Sequence, residues 1–339
     1  MRRAAGFFAL AALAAASAAQ AEALLTAVSP VQREAYRLRA PVAQPEHNRS
    51  TPERVELGKL LFFDPRLSRS GVTSCATCHN PALAWGDGLA LGVGDGMKTL
   101  GRRTPTLLNV AWSELFFWDG RAASLEEQAL GPIASPDEMN LPLDQLTARV
   151  AAIPGYQQAF RSAYPDETIS PQTIGKAIAA FERTIVSQTA PFDRWAAGEE
   201  GAISDAAKRG FALFDGEAQC SKCHSGWRFT DDAFHDIGVP GEDRGRGKLL
   251  PQIGAVQFAF KTPTLRNVDR RAPYMHDGSE ATLEAVIELY ALGGRAKRPS
   301  LAPEITPLAL SAQDKSDLVA FLKTLTSDDA LVALPALPR

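Results

Sequence analysis

Cys75-Ala76-Thr77-Cys78-His79 and Cys220-Ser221-Lys222-Cys223-His224 decide how this chain folds. The chain has four cysteines, and these two stretches use all of them. In each, two thiols three residues apart can add to the two vinyl groups of one haem. The adjacent histidine then sits beneath the iron as proximal ligand. A CxxC alone also suits a zinc half-site or a redox pair, but neither accounts for a histidine that follows both times. The motifs therefore imply two covalently bound c-type haems, held by Cys75, Cys78 and His79 and by Cys220, Cys223 and His224. No thiol is left for a disulfide, so the haems must serve as part of the core.

The sequence around the motifs is duplicated. Leu57-Gly58-Lys59-Leu60-Leu61-Phe62 precedes the first motif and Lys208-Arg209-Gly210-Phe211-Ala212-Leu213-Phe214 the second, and both read as an amphipathic helix. Thr104-Pro105-Thr106-Leu107-Leu108-Asn109-Val110 recurs as Thr262-Pro263-Thr264-Leu265-Arg266-Asn267-Val268, 158 positions later. At the same offset Trp118-Asp119-Gly120 falls on His276-Asp277-Gly278, and Ser124-Leu125-Glu126 falls on Thr282-Leu283-Glu284. The haem motifs are offset by 145, so the second copy carries 13 further residues, for which the glycine- and arginine-rich stretch 238–247 is the natural place.

Strand signals are few, and alanine-rich helical stretches such as 173–187 and 311–325 dominate, with Ser170 and Ser311 as N-terminal caps. The expected fold is mainly α: two tandem cytochrome-c-like helical domains, each with one covalent c-type haem. The domains are read as 22–195 and 196–339, with the boundary in 191–204. Residues 22–50 read as a polar leader that packs over one domain or frays, and 334–339 as a fraying end.

Met1-Arg2-Arg3, the apolar run 4–18 and Ala19-Gln20-Ala21 read as a signal peptide over residues 1–21. The run is shorter than the ~20 residues that span a bilayer, which argues against an anchor. The expected product is an exported periplasmic protein with no membrane span. A formal net charge of −3 without a basic stripe excludes a nucleic-acid binder.

Each iron has a sixth position to account for. The five histidines are His47, His79, His224, His235 and His276, and none lies between the two motifs. The loop 86–98 offers Met97 as a soft ligand, though a thioether there also reads as a loop or core side chain. The duplication gives a second clue, because at the 158 offset Pro132 corresponds to Tyr290. A proline side chain cannot ligate iron and a tyrosinate can, so one position could leave one haem open and close the other. On periodicity alone Tyr290 completes a buried stripe with Leu283, Val286 and Ile287. Peroxide chemistry at an open haem needs a group that takes a proton from one oxygen and returns it to the other. Glu138 follows Pro132 closely and Gln128 precedes it by one turn, although by composition alone Glu138 reads as a solvated surface acid.

These residues resemble the bacterial dihaem cytochrome-c peroxidase / MauG family. The resemblance covers nearly the whole chain after residue 21. Besides the two motifs it rests on Phe117-Trp118-Asp119-Gly120-Arg121, Gln128, Gly131-Pro132-Ile133, Pro136-Asp137-Glu138-Met139, Phe234-His235-Asp236-Ile237-Gly238-Val239 and Ala272-Pro273-Tyr274-Met275-His276-Asp277-Gly278. It implies that the haem on His79 reacts with peroxide, with Glu138 as distal acid-base and Gln128 as distal hydrogen-bonding residue. It implies that Trp118 carries electrons or holes between the haems. The haem on His224 then resembles the electron-transfer haem, with Tyr290 as distal iron ligand and Met275 a false lure. Tyrosine at that place resembles the MauG-like members, whereas ordinary peroxidases of the family carry methionine. Ordinary members also place a gating histidine after the first motif, and this chain has none. The family's bridging calcium is doubtful here, because Arg103 and Arg271 stand at usual ligand positions. The aromatic residue through which MauG-like members reach a protein substrate is replaced by Ala218, with Trp227, Trp195 and Trp112 as alternatives or core residues.

The favoured reading is a periplasmic dihaem peroxidase that reacts with H2O2 at an open haem, shares oxidising equivalents with a His/Tyr haem and oxidises a protein partner. The alternative is a cytochrome-c peroxidase that reduces H2O2 to water with electrons from a small cytochrome c or cupredoxin. A dihaem electron carrier without catalysis is weakened by Gln128 and Glu138. The resemblance also suggests a homodimer.

Overall fold

The computed structural model describes residues 29–37, 41, 42, 44–329 and 332–339; the signal-peptide stretch 1–21 lies outside them. The order of helices is α1 (Pro30–Ala35), α2 (Pro52–Phe62), α3 (Cys75–Cys78), α4 (Leu125–Ala134), α5 (Leu143–Ala151), α6 (Pro154–Ala163), α7 (Pro171–Glu182), α8 (Pro191–Ala196), α9 (Asp205–Asp215), α10 (Leu283–Ala291) and α11 (Ala312–Lys323). One antiparallel pair, β1 (Phe234–His235) with β2 (Phe260–Lys261), is the sheet among the described residues. The remainder is short 3₁₀ turns and loop, which suits a chain whose interior is shared with bound groups.

Two cores form. The first gathers Leu57, Leu61, Phe62, Leu107, Ile133, Phe160, Ile174 and Phe181. The second gathers Phe192, Phe211, Phe214, Phe229, Ile287, Leu318 and Phe321. Their central crossings are copies of one another. Helix α2 crosses α7, where a Cβ on Gly58 would lie 1.9 Å from the carbonyl oxygen of Ala177. Helix α9 crosses α11, where a Cβ on Gly210 would lie 1.9 Å from that of Asp317. Only glycine permits such an approach.

The TPTLxN segments are tied down identically. Asn109 and Asn267 both take left-handed backbone, with φ of 63° and 56°. Their side-chain oxygens accept the backbone N–H of Ser187 at 3.0 Å and of Ser327 at 2.9 Å, just beyond α7 and α11. Asparagine suits both demands, because it tolerates that backbone and bonds locally.

The ends of the chain depart from the sequence reading. The leader does not keep to one unit: Tyr36 is buried in the second core, its hydroxyl donating to Asp215 at 2.5 Å, whereas Asn48 is buried against Glu126 and Tyr164 of the first. The end of the chain does not fray, because Val332 packs on the first core and the Arg339 carbonyl accepts the Gly155 N–H at 3.0 Å. Helix α8 contributes Phe192 and Trp195 to the second core. No helix among the described residues is long and apolar enough to cross a membrane.

Candidate active site

Both CxxCH motifs open into one internal cavity of about 930 Å³. Each motif is built alike. His79 Nδ1 lies 3.1 Å from the carbonyl of Trp85, and His224 Nδ1 lies 2.9 Å from that of Phe229. A histidine so anchored has its tautomer and ring orientation fixed and presents Nε2 as the free ligand atom. Burial pushes both imidazoles below their usual pKa, toward the neutral form that binds metal. No disulfide joins any of the four cysteines, so each is left for haem attachment. Paired thiols, oriented imidazoles and an apolar-lined cavity common to both motifs fit two haem groups.

The next elements define the far walls. Helices α4 and α10 begin from matching caps: Ser124 Oγ accepts the Glu127 N–H at 3.1 Å, and Thr282 Oγ1 accepts the Ala285 N–H at 3.2 Å. Eight residues beyond each cap come Pro132 and Tyr290, and both line the cavity. The stripe of Leu283, Val286, Ile287 and Tyr290 is therefore a cavity wall. Burial, then the Cys220 and Cys223 thiols, push the Tyr290 phenol above its ordinary range. A cation in the cavity would reverse that direction.

Gln128 lies on the cavity one turn before Pro132. Beyond α4 the chain folds back: the Met139 N–H donates to the Pro132 carbonyl at 3.0 Å and the Leu141 N–H to that of Ile133 at 2.8 Å. This turn brings Glu138 into the same wall. The loop 86–98 braces it, since the Asp95 N–H donates to the Glu138 carbonyl at 2.6 Å. Gly94 permits the approach, because a Cβ there would lie 1.9 Å from the Asp137 carbonyl oxygen. Glu138 is thus no solvated surface acid. Burial raises its pKa, opposed by a Ser135 hydrogen bond and the Arg121 charge. Met97 on the same loop is 82% exposed, outside the cavity, and is not placed to be a ligand.

Trp118 is held between the two halves. Its Nε1–H donates to the Arg103 carbonyl at 2.8 Å, and its own carbonyl accepts the Lys261 N–H at 2.9 Å. Its ring stands 6.4 Å from His276, the residue at the matching position in the second copy. His276 in turn stacks on Phe260 at 3.6 Å. Below them Arg102 bridges Asp119 at 2.7 Å and Asp243 at 2.6 Å. Met275 also lines the cavity. Trp195 is a core residue, while Trp112 and Trp227 meet edge to face at 4.7 Å where the two units join.

Glu182 on α7 was missed in the sequence. It is buried on the cavity, its Oε2 has no hydrogen-bond partner, and burial pushes its carboxyl up to about 8. The signal was Phe181-Glu182-Arg183-Thr184 against Phe321-Leu322-Lys323-Thr324, in which a carboxyl replaces a leucine that lines the other half of the cavity.

This fold and cavity define a class, the two-haem c-type oxidoreductases. Residues 52–201 match the di-haem cytochrome c peroxidase profile and residues 207–326 the cytochrome c profile. The chain is 56% identical over 300 residues to the methylamine utilization protein MauG of Methylorubrum extorquens, covering 88% of this chain and 85% of that protein. It is 38% identical over 296 residues to the cytochrome c551 peroxidase of Nitrosomonas europaea, covering 85% of each. A crystal structure of a MauG-like protein associated with microbial copper homeostasis superposes with a TM-score of 0.79 at 33% identity, over 86% of this chain and 94% of that one. The chain belongs to the di-haem cytochrome c peroxidase (MauG) family, and is an oxidoreductase acting on peroxide.

Proposed function

We propose that this protein is a periplasmic MauG-like peroxidase. It reacts with H2O2 at the haem on His79, shares oxidising equivalents with a His224/Tyr290 haem, and oxidises a partner protein. The observation that carries this reading is the unequal pair Pro132 and Tyr290, at one position in duplicated helices lining one cavity. Cys75, Cys78 and His79 would hold the first haem; Cys220, Cys223, His224 and Tyr290 would hold the second. Bound haem supplies the iron and the redox capacity that the side chains lack.

The chain's own residues handle protons and position. Glu138 sits in a partly desolvated place that raises its pKa above the ordinary carboxyl range, the direction that suits a general acid-base. It takes a proton from one peroxide oxygen and returns it to the departing one. Gln128 orients the peroxide by hydrogen bonding, and Pro132 places no ligating side chain at the position that Tyr290 takes in the other unit. Trp118, fixed at both its indole N–H and its carbonyl, stands between the two halves with little freedom to reorganise. Tyr290, as a tyrosinate ligand, would favour the oxidised state of a haem held there, which would suit storage of oxidising equivalents better than delivery of electrons.

The test is addition of stoichiometric H2O2 to the diferric holoprotein. A near-infrared charge-resonance band is expected from the wild type and none from Tyr290→Phe. A band that survives in the variant sinks the assignment. Fast turnover with reduced cytochrome c, without that band, would favour the cytochrome-c peroxidase reading. Glu138→Gln should slow the reaction with peroxide by on the order of 10²–10⁴-fold, measured by stopped-flow mixing.

A further inference from the structure

Arg103 and Arg271 are both 6% exposed and both line the cavity. The Arg103 Nη2 donates to the Arg271 carbonyl, and the Arg271 Nη2 donates to the Thr264 carbonyl. Neither guanidinium forms an ion pair with a carboxylate among the described residues, although the Asp87 charge reaches Arg103. Each has a buried Nε with no hydrogen-bond partner. Burial lowers the pKa of both, and the charge of Arg103 adds to the effect on Arg271, which is pushed down to about 9. The Asp87 charge offsets part of that burden on Arg103 from beyond ion-pair distance, but no carboxylate among the described residues answers Arg271, and two like charges in one desolvated place are costly to hold. Such a pair calls for an anion in the cavity.

A divalent cation does not fit here. Calcium takes six to eight oxygen ligands, and two fixed guanidiniums offer none while repelling the ion. The anions that the two CxxCH motifs bring with them are the propionate carboxylates of the haems. Planar guanidinium forks match carboxylates in geometry and charge. Arg103 lies by the first unit, its Nη2 3.9 Å from where a Cβ on Gly86 would be. The charge of Arg271 acts on His224 of the second unit.

We propose that Arg103 and Arg271 form a fixed dicationic site that binds propionates of both haems and bridges them without a calcium ion. The Arg103 carbonyl also holds the Trp118 indole N–H. One residue thus couples the charge bridge to the aromatic ring between the haems. The inference rests on the two-haem reading of the cavity, and not on Tyr290 or on peroxide chemistry.

The test uses the dihaem holoprotein. Its calcium content is measured by elemental analysis before and after chelation, and both midpoint potentials are measured by spectroelectrochemistry. The expected wild type holds well under one calcium per chain, and neither chelator nor added calcium moves its potentials. Arg103→Gln and Arg271→Gln should each lower a midpoint potential, because a lost cation makes the oxidised iron easier to form. Arg271→Lys should restore most of the shift. One tightly held calcium per chain, whose removal moves the potentials, would overturn the proposal. So would glutamine variants that keep both haems and wild-type potentials. Should a variant fail to mature, the wild-type calcium measurement still decides. A wild-type mass showing fewer than two attached haems would instead remove the two-haem reading.

Discussion

Glu182 and Leu322 show how one side chain separates two copies of the same fold. Both sit on the helix that closes a haem pocket, but only Glu182 titrates. Its carboxyl is neutral in the folded protein up to about pH 8, whereas in the unfolded chain it ionises near 4.5. The unfolded state therefore binds fewer protons between those values, and stability falls as pH rises through that window. Above pH 8 the penalty is complete. Glu182→Gln removes it, so the variant should match the wild type below pH 4.5 and gain steadily to pH 8. The gain there is on the order of 5 kcal/mol, read from urea melts of the holoprotein across that range. A constant difference at all pH values would show that the carboxyl does not carry the effect. The haem-attaching residues were legible in the sequence, because covalent chemistry dictates their spacing. Glu182 was not, because a carboxylate in an alanine-rich helix looks solvated until the helix it packs against is known. Glu138 was legible by resemblance alone, since its burial depends on a turn closed by Met139 and Leu141 and on the opposing Gly94.

At the scale of elements, the duplication carried most of the architecture. Matching caps at Ser124 and Thr282 start α4 and α10, and the two asparagines of TPTLxN pin each unit to the end of its closing helix. The crossing of α9 with α11 is the most sensitive joint. Adding a methyl at Gly210 puts carbon 1.9 Å from the Asp317 carbonyl oxygen, which belongs to backbone and cannot rotate away. The helices must part, so Gly210→Ala should cost about 1–3 kcal/mol or more, and Gly58→Ala should behave alike at its own crossing. Gly201→Ala, with nothing within 4 Å, is the control and should stay within about 0.5 kcal/mol of wild type. Thermal melts of the holoproteins decide it; equal melting of Gly210→Ala and Gly201→Ala would show that the crossing yields. The contact was legible only as a glycine inside an amphipathic helix, because the carbonyl it faces lies more than one hundred residues away.

Across the whole molecule the two units are bound together beyond their shared cavity. Residues 30–37 reach the second core and residues 332–339 return to the first, so each of these two segments covers the unit farther from it in sequence. Such long-range covers leave no periodic signal, which is why the sequence read them as a leader and a fraying end. Between the units Trp112 meets Trp227, Lys261 Nζ donates to the Leu115 carbonyl at 2.8 Å, and Arg228 Nη1 donates to Ser113 at 3.2 Å. Asp329 joins both asparagine anchors: it accepts the Gln188 N–H at 2.8 Å beside the first and the Asn267 side-chain amide at 2.5 Å in the second. A hinge between the units would have to break all of these while tearing open the cavity that holds both irons. The holoprotein should therefore unfold in one transition, with the absorption of both haems and the far-ultraviolet circular dichroism changing together. Asp329→Ala takes the acceptor from three donors, the Gln188 N–H, the Asn267 amide and the Ser327 hydroxyl, and should lower that transition by about 1–3 kcal/mol without splitting it. Two separate transitions in the wild type would mean that the units are independent and that Trp118 is not held in a fixed place between them.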